Sequence, residues 1–457
     1  MGISPTSWFK HKRAKKHTPF GYRSSRERVE TYFWGPRDIS RHSRWPRALR
    51  IHGSVAPKLI IPMFCIACWT ALIVVISEKV YSIDVHPIVI TVLGLVVGLA
   101  LNFRSNSAYE RYMDGRKMWS ALGATSTSLA RHIWLHVHER REVPKSDLMD
   151  KITALNLIIA FVIALKHKLR FEPYTQYEDL NDLVSHLETF AAVAGEPTAT
   201  STSGIRDIGE MLNIPMARSN PRREIKKAEK PLGNLPLELL SYISAYLAEV
   251  FANGTFTLGI AQNHAMNNMN DLHTILATTD RVLNTPVPVA YSICISQITW
   301  LYVLTLPFQL VQLTEWLTIP ITILTSYIIL SILSIGNEIE NPFGTEVNDL
   351  PMEIYCAQIT SDIAIIASIS PAQLQQNFKN VASRPLYPIS SAPASFWKKR
   401  PEQEIREALR FRATVSKGTM WKRMNNTSST LMRLQNICFR IPKSISFHSC
   451  GLNSVES

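Results

Sequence analysis

Four long stretches of this chain carry no formal charge, and a run of that kind has few stable homes in water. Residues 59–77 are almost wholly apolar, and residues 87–103, 287–313 and 316–336 are likewise uncharged. About 20 helical residues at 1.5 Å each span the roughly 30 Å hydrocarbon core of a bilayer. No water is present there to satisfy peptide groups, so each run reads as a transmembrane helix. The connections within each pair are short, which makes two hairpins. Gly94 and Gly98, four apart, predict close approach of a neighbouring helix. Pro307 predicts a kink in the third run.

Charge is as uneven as hydropathy. Of the formal +13, residues 1–58 contribute +11 and residues 383–457 contribute +9, leaving the centre at −7. Basic ends around an apolar middle argue against a nucleic-acid-binding core. They suit a membrane protein that gathers Lys and Arg on its cytoplasmic side. Arg47, Arg50 and Lys58 precede the first run, and Arg104 and Arg111 follow the second. Lys79 is the sole Lys or Arg of the outer connections. Both termini of this multi-pass chain are therefore expected in the cytoplasm. The plasma membrane is favoured, and the basic, acid-poor N-terminus leaves an organelle membrane open. Sequons at Asn253, Asn425 and Asn426 would then face the cytosol and stay unmodified.

The chain divides into a basic cytosolic segment (1–58), a membrane domain (59–350), a cytosolic helix (351–382) and a basic, largely disordered tail (383–457). A flexible loop rich in Thr, Ser, Gly, Pro and Lys covers 191–234. Ile152 to Leu165 is apolar but short, and it runs into Lys166, Lys168 and Arg170. That length fits a buried helix of a cytosolic bundle better than a span. Pro236 to Leu283 has helical periodicity with few breakers. Cys65 and Cys68 lie inside an apolar run without a second pair, so they read as packing residues. His132, His136 and His138 lack an acidic partner and read as helix-face histidines. No nucleophile elbow, P-loop, dinucleotide fingerprint or His-Glu-x-x-His is present, and the chain is not expected to be an enzyme.

Two segments are more specific. The stretch Leu99 to Trp119 leaves the second apolar run and continues as a polar helix carrying Arg104, Arg111 and Arg116. The stretch Glu338 to Met352 reads Glu-Ile-Glu-Asn-Pro-Phe-Gly-Thr-Glu-Val-Asn-Asp-Leu-Pro-Met. Together they resemble the bestrophin family of ion channels, in particular its bacterial and fungal branch, over roughly residues 34–382. The resemblance implies an all-α membrane protein with four transmembrane helices per subunit and a large helical cytosolic region. It implies a homopentamer around one axial pore that passes chloride or other monovalent anions without turnover. Partners would be further copies of the chain, the lipid bilayer and small anions. A cation-conducting relative and a non-conducting membrane scaffold stay open as alternatives.

Leu95, Leu99 and Phe103 fall at i, i+4 and i+8 on one helix face. Spacing alone gives a lipid-facing or core stripe. The resemblance makes them the pore neck, where a ring of apolar side chains gates by expelling water. It likewise places Ile260, in the segment Gly259 to Asn270, at a cytosolic aperture; an ordinary core residue is the alternative. Glu338, Asn341, Glu346 and Asp349 surround the Asn-Pro-Phe-Gly turn, and crowded oxygen ligands suit a hard cation such as calcium. Animal bestrophins bind calcium with an acidic cluster at this point, beside a backbone carbonyl of the N-terminal segment. Here Glu-Val-Asn-Asp stands in place of an unbroken acidic run, and helix capping with loop hydrogen bonding is the alternative. No other cofactor is implied.

Overall fold

A computed structural model describes residues 53–80, 87–194, 232–387 and 389–416. The regular structure of the described residues is helical, apart from an isolated antiparallel bridge between Val137 and Phe256. The first helices are α1 (Ala56–Lys79), α2 (Pro87–His136) and α3 (Pro144–Leu169). Two short helices, α4 (Asn181–Val184) and α5 (Phe190–Ala194), precede α6 (Leu235–Ala252) and α7 (Gly259–Asn284). Then come α8 (Val289–Thr314), α9 (Thr318–Ile339) and α10 (Met352–Ala367). These belong to one compact unit ending at Ser368; a second begins at Ile369 and holds α11 (Pro371–Phe378), α12 (Ala394–Trp397) and α13 (Glu402–Ser416).

Helices α1, α3 and α6 each carry proline in their opening positions, where the missing N–H has no helical partner to lose. The α8–α9 reversal is made by Glu315, whose φ of 46° is rare for a side-chain-bearing residue, and a 3₁₀ turn over Glu315–Leu317 follows. Helix α2 runs for 50 residues, about 75 Å at the helical rise, and is common to two hydrophobic cores.

The first core joins α1, α8, α9 and the apolar start of α2 through Leu59, Ile66, Val97, Leu101, Val303 and Leu330. Helices α1 and α2 are consecutive, yet α1 packs chiefly against α8 and α9, and the apolar start of α2 joins the same pair. Gly94 lies under Tyr302 of α8, where a Cβ would come within 3.2 Å of the ring. Gly98 has nothing within 4 Å, so only one glycine of the pair serves packing inside the chain. The second core joins the later part of α2 to α3, α6, α7 and α10, around Leu122, Ile133, Ile158, Phe161, Leu247 and Leu272.

Helix α3 is long and apolar enough to cross a membrane, but 67% of its most apolar window is buried inside the chain, against 28% for α1. It is the centre of the second core. Its charged ends are satisfied there. Lys151 is fully buried, donates to the Val137 carbonyl at 3.0 Å and pairs with Glu139 at 3.2 Å. His167 stacks on Tyr177 and bridges Glu172 and Asp179.

Two boundaries differ from the sequence expectation. The helical stretch 236–283 breaks at Asn253–Leu258, where Gly254 takes a φ of 72°. The expected helix over 351–382 divides at residues 368–370, and Ser370 caps α11 by accepting from the Gln373 N–H. Within the tail, α13 is helical and carries an Arg406–Glu402 ion pair one turn apart. Residues 1–52, most of the loop at 191–234, and residues 417–457 with their sequons lie outside the described residues.

Candidate pore-lining face and the acidic turn

Helix α2 is buried along one side and open along the other. Leu101, Arg104, Ala108, Gly115, Trp119 and Leu122 fall three, four or seven apart, on one helix face, and are each less than one-tenth exposed. Leu95, Leu99 and Phe103 point the other way and are 66%, 53% and 61% exposed. Val92 lies on the same open face, and Asn102, Asn106, Glu110 and Lys117 continue it. The open face is therefore apolar as far as Phe103 and mainly polar beyond it. Ile260, the second residue of α7, is 69% exposed, which is not the environment of a core isoleucine. Asn263, Asn267 and Asn270 follow at helical spacing and are exposed as well.

The two segments singled out in the sequence pack against each other on the buried side. Arg104 donates to the side chain of Asn337 and to the Ser292 carbonyl at 3.4 Å, and lies 3.5 Å from Glu340. Arg111 donates to the carbonyls of Val282 (2.6 Å), Thr285 and Glu340 (3.1 Å). Those carbonyls stand at the C-terminal ends of α7 and α9, where helices leave acceptors unpaired and favour positive charge. Phe343 is fully buried, and a Cβ on Gly115 would meet its ring and the Pro342 ring at 3.2 Å. The glycine thus admits the Asn-Pro-Phe-Gly turn against α2. Arg116 lies over the Tyr355 ring at 4.6 Å, tying α10 to the same stretch.

Glu338, Asn341, Glu346 and Asp349 line one open cavity, and Lys58 enters it from α1. The Lys58 ammonium is 2.8 Å from Glu346 and 3.2 Å from Glu338. Asn348 donates to Glu338 at 2.7 Å and to the Gly53 carbonyl at 3.1 Å. Asp349 accepts from the Glu346 N–H at 2.7 Å. As a calcium site this donor set fits poorly, because its carboxylates already have protein donors and a cation of the chain lies between two of them. Among the described residues, no three His, Cys, Asp or Glu side chains are placed to hold a metal.

Burial, with the nearby charges of Glu346 and Glu338, pushes the Asp349 carboxyl up to about 6. A raised carboxyl pKa favours the fold only while the group is protonated, and that contribution is lost as pH rises through about 6. Asp349→Asn, which keeps an acceptor for the Glu346 N–H, is therefore expected to melt higher than wild type above pH 6. Below the ordinary aspartate value of 3.8 the two should coincide. Melting curves across pH test this, and an asparagine variant less stable at pH 8 would contradict it.

His132 lies stacked between His136 and His264, with ring centroids 5.6 and 5.8 Å apart. Burial and the neighbouring charges lower its pKa. Cys65 and Cys68 are exposed on α1, and Cys356 is buried in the second core. Sequence reasoning missed Lys58 and Asn348 as members of the turn cluster. Lys58 carried only a topological signal, and its partners lie 280 and 288 residues away.

Residues 38–364 match the family described as Bacterial/Fungal Bestrophin protein. A protein of Nostoc sp. named a voltage-dependent anion channel-forming protein is 31% identical over 329 residues, 71% of this chain and 92% of its own length. A Synechocystis protein of the same description is 30% identical, over 72% of this chain and 95% of its own. A bacterial bestrophin homolog from Klebsiella pneumoniae, solved as a point mutant, superposes with a TM-score of 0.51 at 22% identity, over 68% of this chain and 100% of its own. The matched span includes both junction segments, all four apolar runs and both cores. This chain is a multi-pass membrane protein that belongs to the bestrophin family, in its bacterial and fungal branch.

Proposed function

We propose that this protein is an anion channel, a homopentamer whose five α2 helices line one axial pore. The observation that carries the reading is the open face of α2, unburied along the helix while the opposite face is packed throughout. A single copy has no means to enclose a pore with one helix face. Several copies around an axis would turn the same face inward and bury it against water and ions. The two cyanobacterial relatives are named as anion channel-forming proteins, which favours anions as the conducted species.

In this assembly Leu95, Leu99 and Phe103 form the neck. An apolar constriction expels water when narrow and so sets the barrier to conduction. Below it the carboxamide of Asn106, and between Leu99 and Phe103 that of Asn102, offer N–H donors to an anion that has shed part of its hydration. Ile260 makes a second apolar ring at the cytosolic aperture. Helices α1, α2, α8 and α9 span the bilayer, α3 stays in the cytosolic part, and both termini lie in the cytoplasm. Conduction is passive and involves no bond chemistry.

Reversal potentials test the reading. Purified protein in liposomes under a potassium chloride gradient is expected to reverse near the chloride equilibrium potential. Reversal near the potassium potential would make it a cation channel. No current at any voltage would favour the scaffold.

A further inference from the structure

The acidic turn holds a cation already, and that cation belongs to the chain. Lys58 stands at the third position of α1, within hydrogen-bond distance of both Glu338 at the end of α9 and Glu346 in the turn. The other oxygen of Glu338 takes the Asn348 amide, and the same amide reaches the carbonyl of Gly53. Two tethers therefore run from the turn to the chain just before and within the start of α1. One is ionic, through Lys58; the other passes through Asn348 to a backbone oxygen.

A bound divalent ion would supply the same two things. It would neutralise the crowded carboxylates, and it would draw a backbone carbonyl of the preceding segment onto the turn. Here an ammonium neutralises and an amide draws. A metal placed between Glu338 and Glu346 would have to expel Lys58 and leave that ammonium without its two carboxylates. Like charges at such distances repel strongly. Asp349 offers little compensation, because one of its oxygens is turned back to the Glu346 N–H.

We propose that Lys58 is a built-in cation that takes the place of a divalent metal in this turn, closing it onto the start of α1 without calcium. The clasp is then permanent, and the protein is indifferent to calcium for a reason that resides in one side chain. It follows that removing the ammonium uncovers a calcium site. Glu338 and Glu346 are then left as carboxylates without their cation in an open cavity that Asn341 and Asp349 also line.

The test reads binding and melting rather than current, so it stands apart from the channel assignment. Full-length protein in detergent is titrated with calcium chloride by calorimetry and melted with and without chelator. Wild type is expected to give no binding heat and the same melting temperature in both. Lys58→Gln is expected to melt several degrees lower in chelator and to recover with calcium, binding in the range of about 10⁻⁴–10⁻³ M typical of weak oxygen sites. Lys58→Arg, which keeps the charge, is expected to stay calcium-indifferent. Glu346→Gln keeps Lys58 beside Glu338, so it should lose stability that calcium does not restore; it carries the test if Lys58→Gln fails to fold. Calcium binding by wild type would overturn the proposal, as would recovery of Glu346→Gln by calcium. So would a Lys58→Gln that melts like wild type and ignores the ion.

Discussion

Replacing Leu95, Leu99 and Phe103 together with alanine is expected to raise the current of the reconstituted protein about tenfold or more and to leave it folded. The three side chains are the widest apolar groups on the open face of α2 before it turns polar. Cutting them back enlarges the constriction and lets water remain in it. A barrier lowered by about 1.4 kcal/mol is already a factor of about ten in rate. Their truncation costs little within a subunit, because each is more than half exposed there and leaves no buried cavity. Leu101→Ala is the control. That side chain is 4% exposed in the first core, and burial at that level makes Leu-to-Ala changes cost about 2–5 kcal/mol. The control should therefore melt early and conduct no better than wild type. A triple variant with unchanged current would mean that this face of α2 meets lipid or a neighbouring helix, and that other residues line the pore.

The largest loss of stability from a single polar substitution is expected at Arg104. Its side chain is 7% exposed and joins α2 to α8 and α9 through Ser292, Asn337 and Glu340. Its aliphatic stem also covers Gly336, with carbons 3.7 Å from where a Cβ would stand. Arg104→Ala removes the charge and the packing together and leaves Glu340, whose carboxylate is 21% exposed, with only the Val287 N–H at 3.2 Å in place of the guanidinium. Breaking a buried pair from one side costs about 3–5 kcal/mol, and the partial exposure of Glu340 puts this case at the lower end. Thermal melts in detergent should drop accordingly and assembled protein should fall in yield. Glu340→Gln, which keeps an acceptor, should cost markedly less. A double substitution should be less damaging than the sum of the two, as expected for groups in direct contact. Additive losses would place Arg104's contribution in packing and in its hydrogen bonds to Asn337 and Ser292, not in the pair with Glu340.

The elements that the sequence made legible are those with one-dimensional signatures. Uncharged runs of membrane length gave α1, α8, α9 and the start of α2 to within a few residues, because hydropathy and helical rise are properties of consecutive positions. The family was legible because its two segments keep residue identities at fixed local spacing. The open face of α2 was half legible: the spacing of Leu95, Leu99 and Phe103 put them on one side, but nothing local says which side the chain itself covers. Packing of α8, α9 and α7 on the opposite flank decided that.

Tertiary structure alone decided the rest. The sequence already favoured a buried bundle helix over a span for residues 152–165; what tertiary structure added is the set of helices that bury α3. Gly94 and Gly98 are equivalent in sequence, and only the approach of Tyr302 separates them. Lys58 reads locally as a positive flank to a membrane helix. It becomes the cation of the acidic turn because folding closes a separation of 280 residues and brings two carboxylates to one ammonium. The sequence by itself thus determined which segments are helical, which suit a bilayer and to which family they belong, since local composition sets those energies. Which faces meet, and which charge neutralises which, depended on contacts between distant residues, and those exist only once the chain has folded.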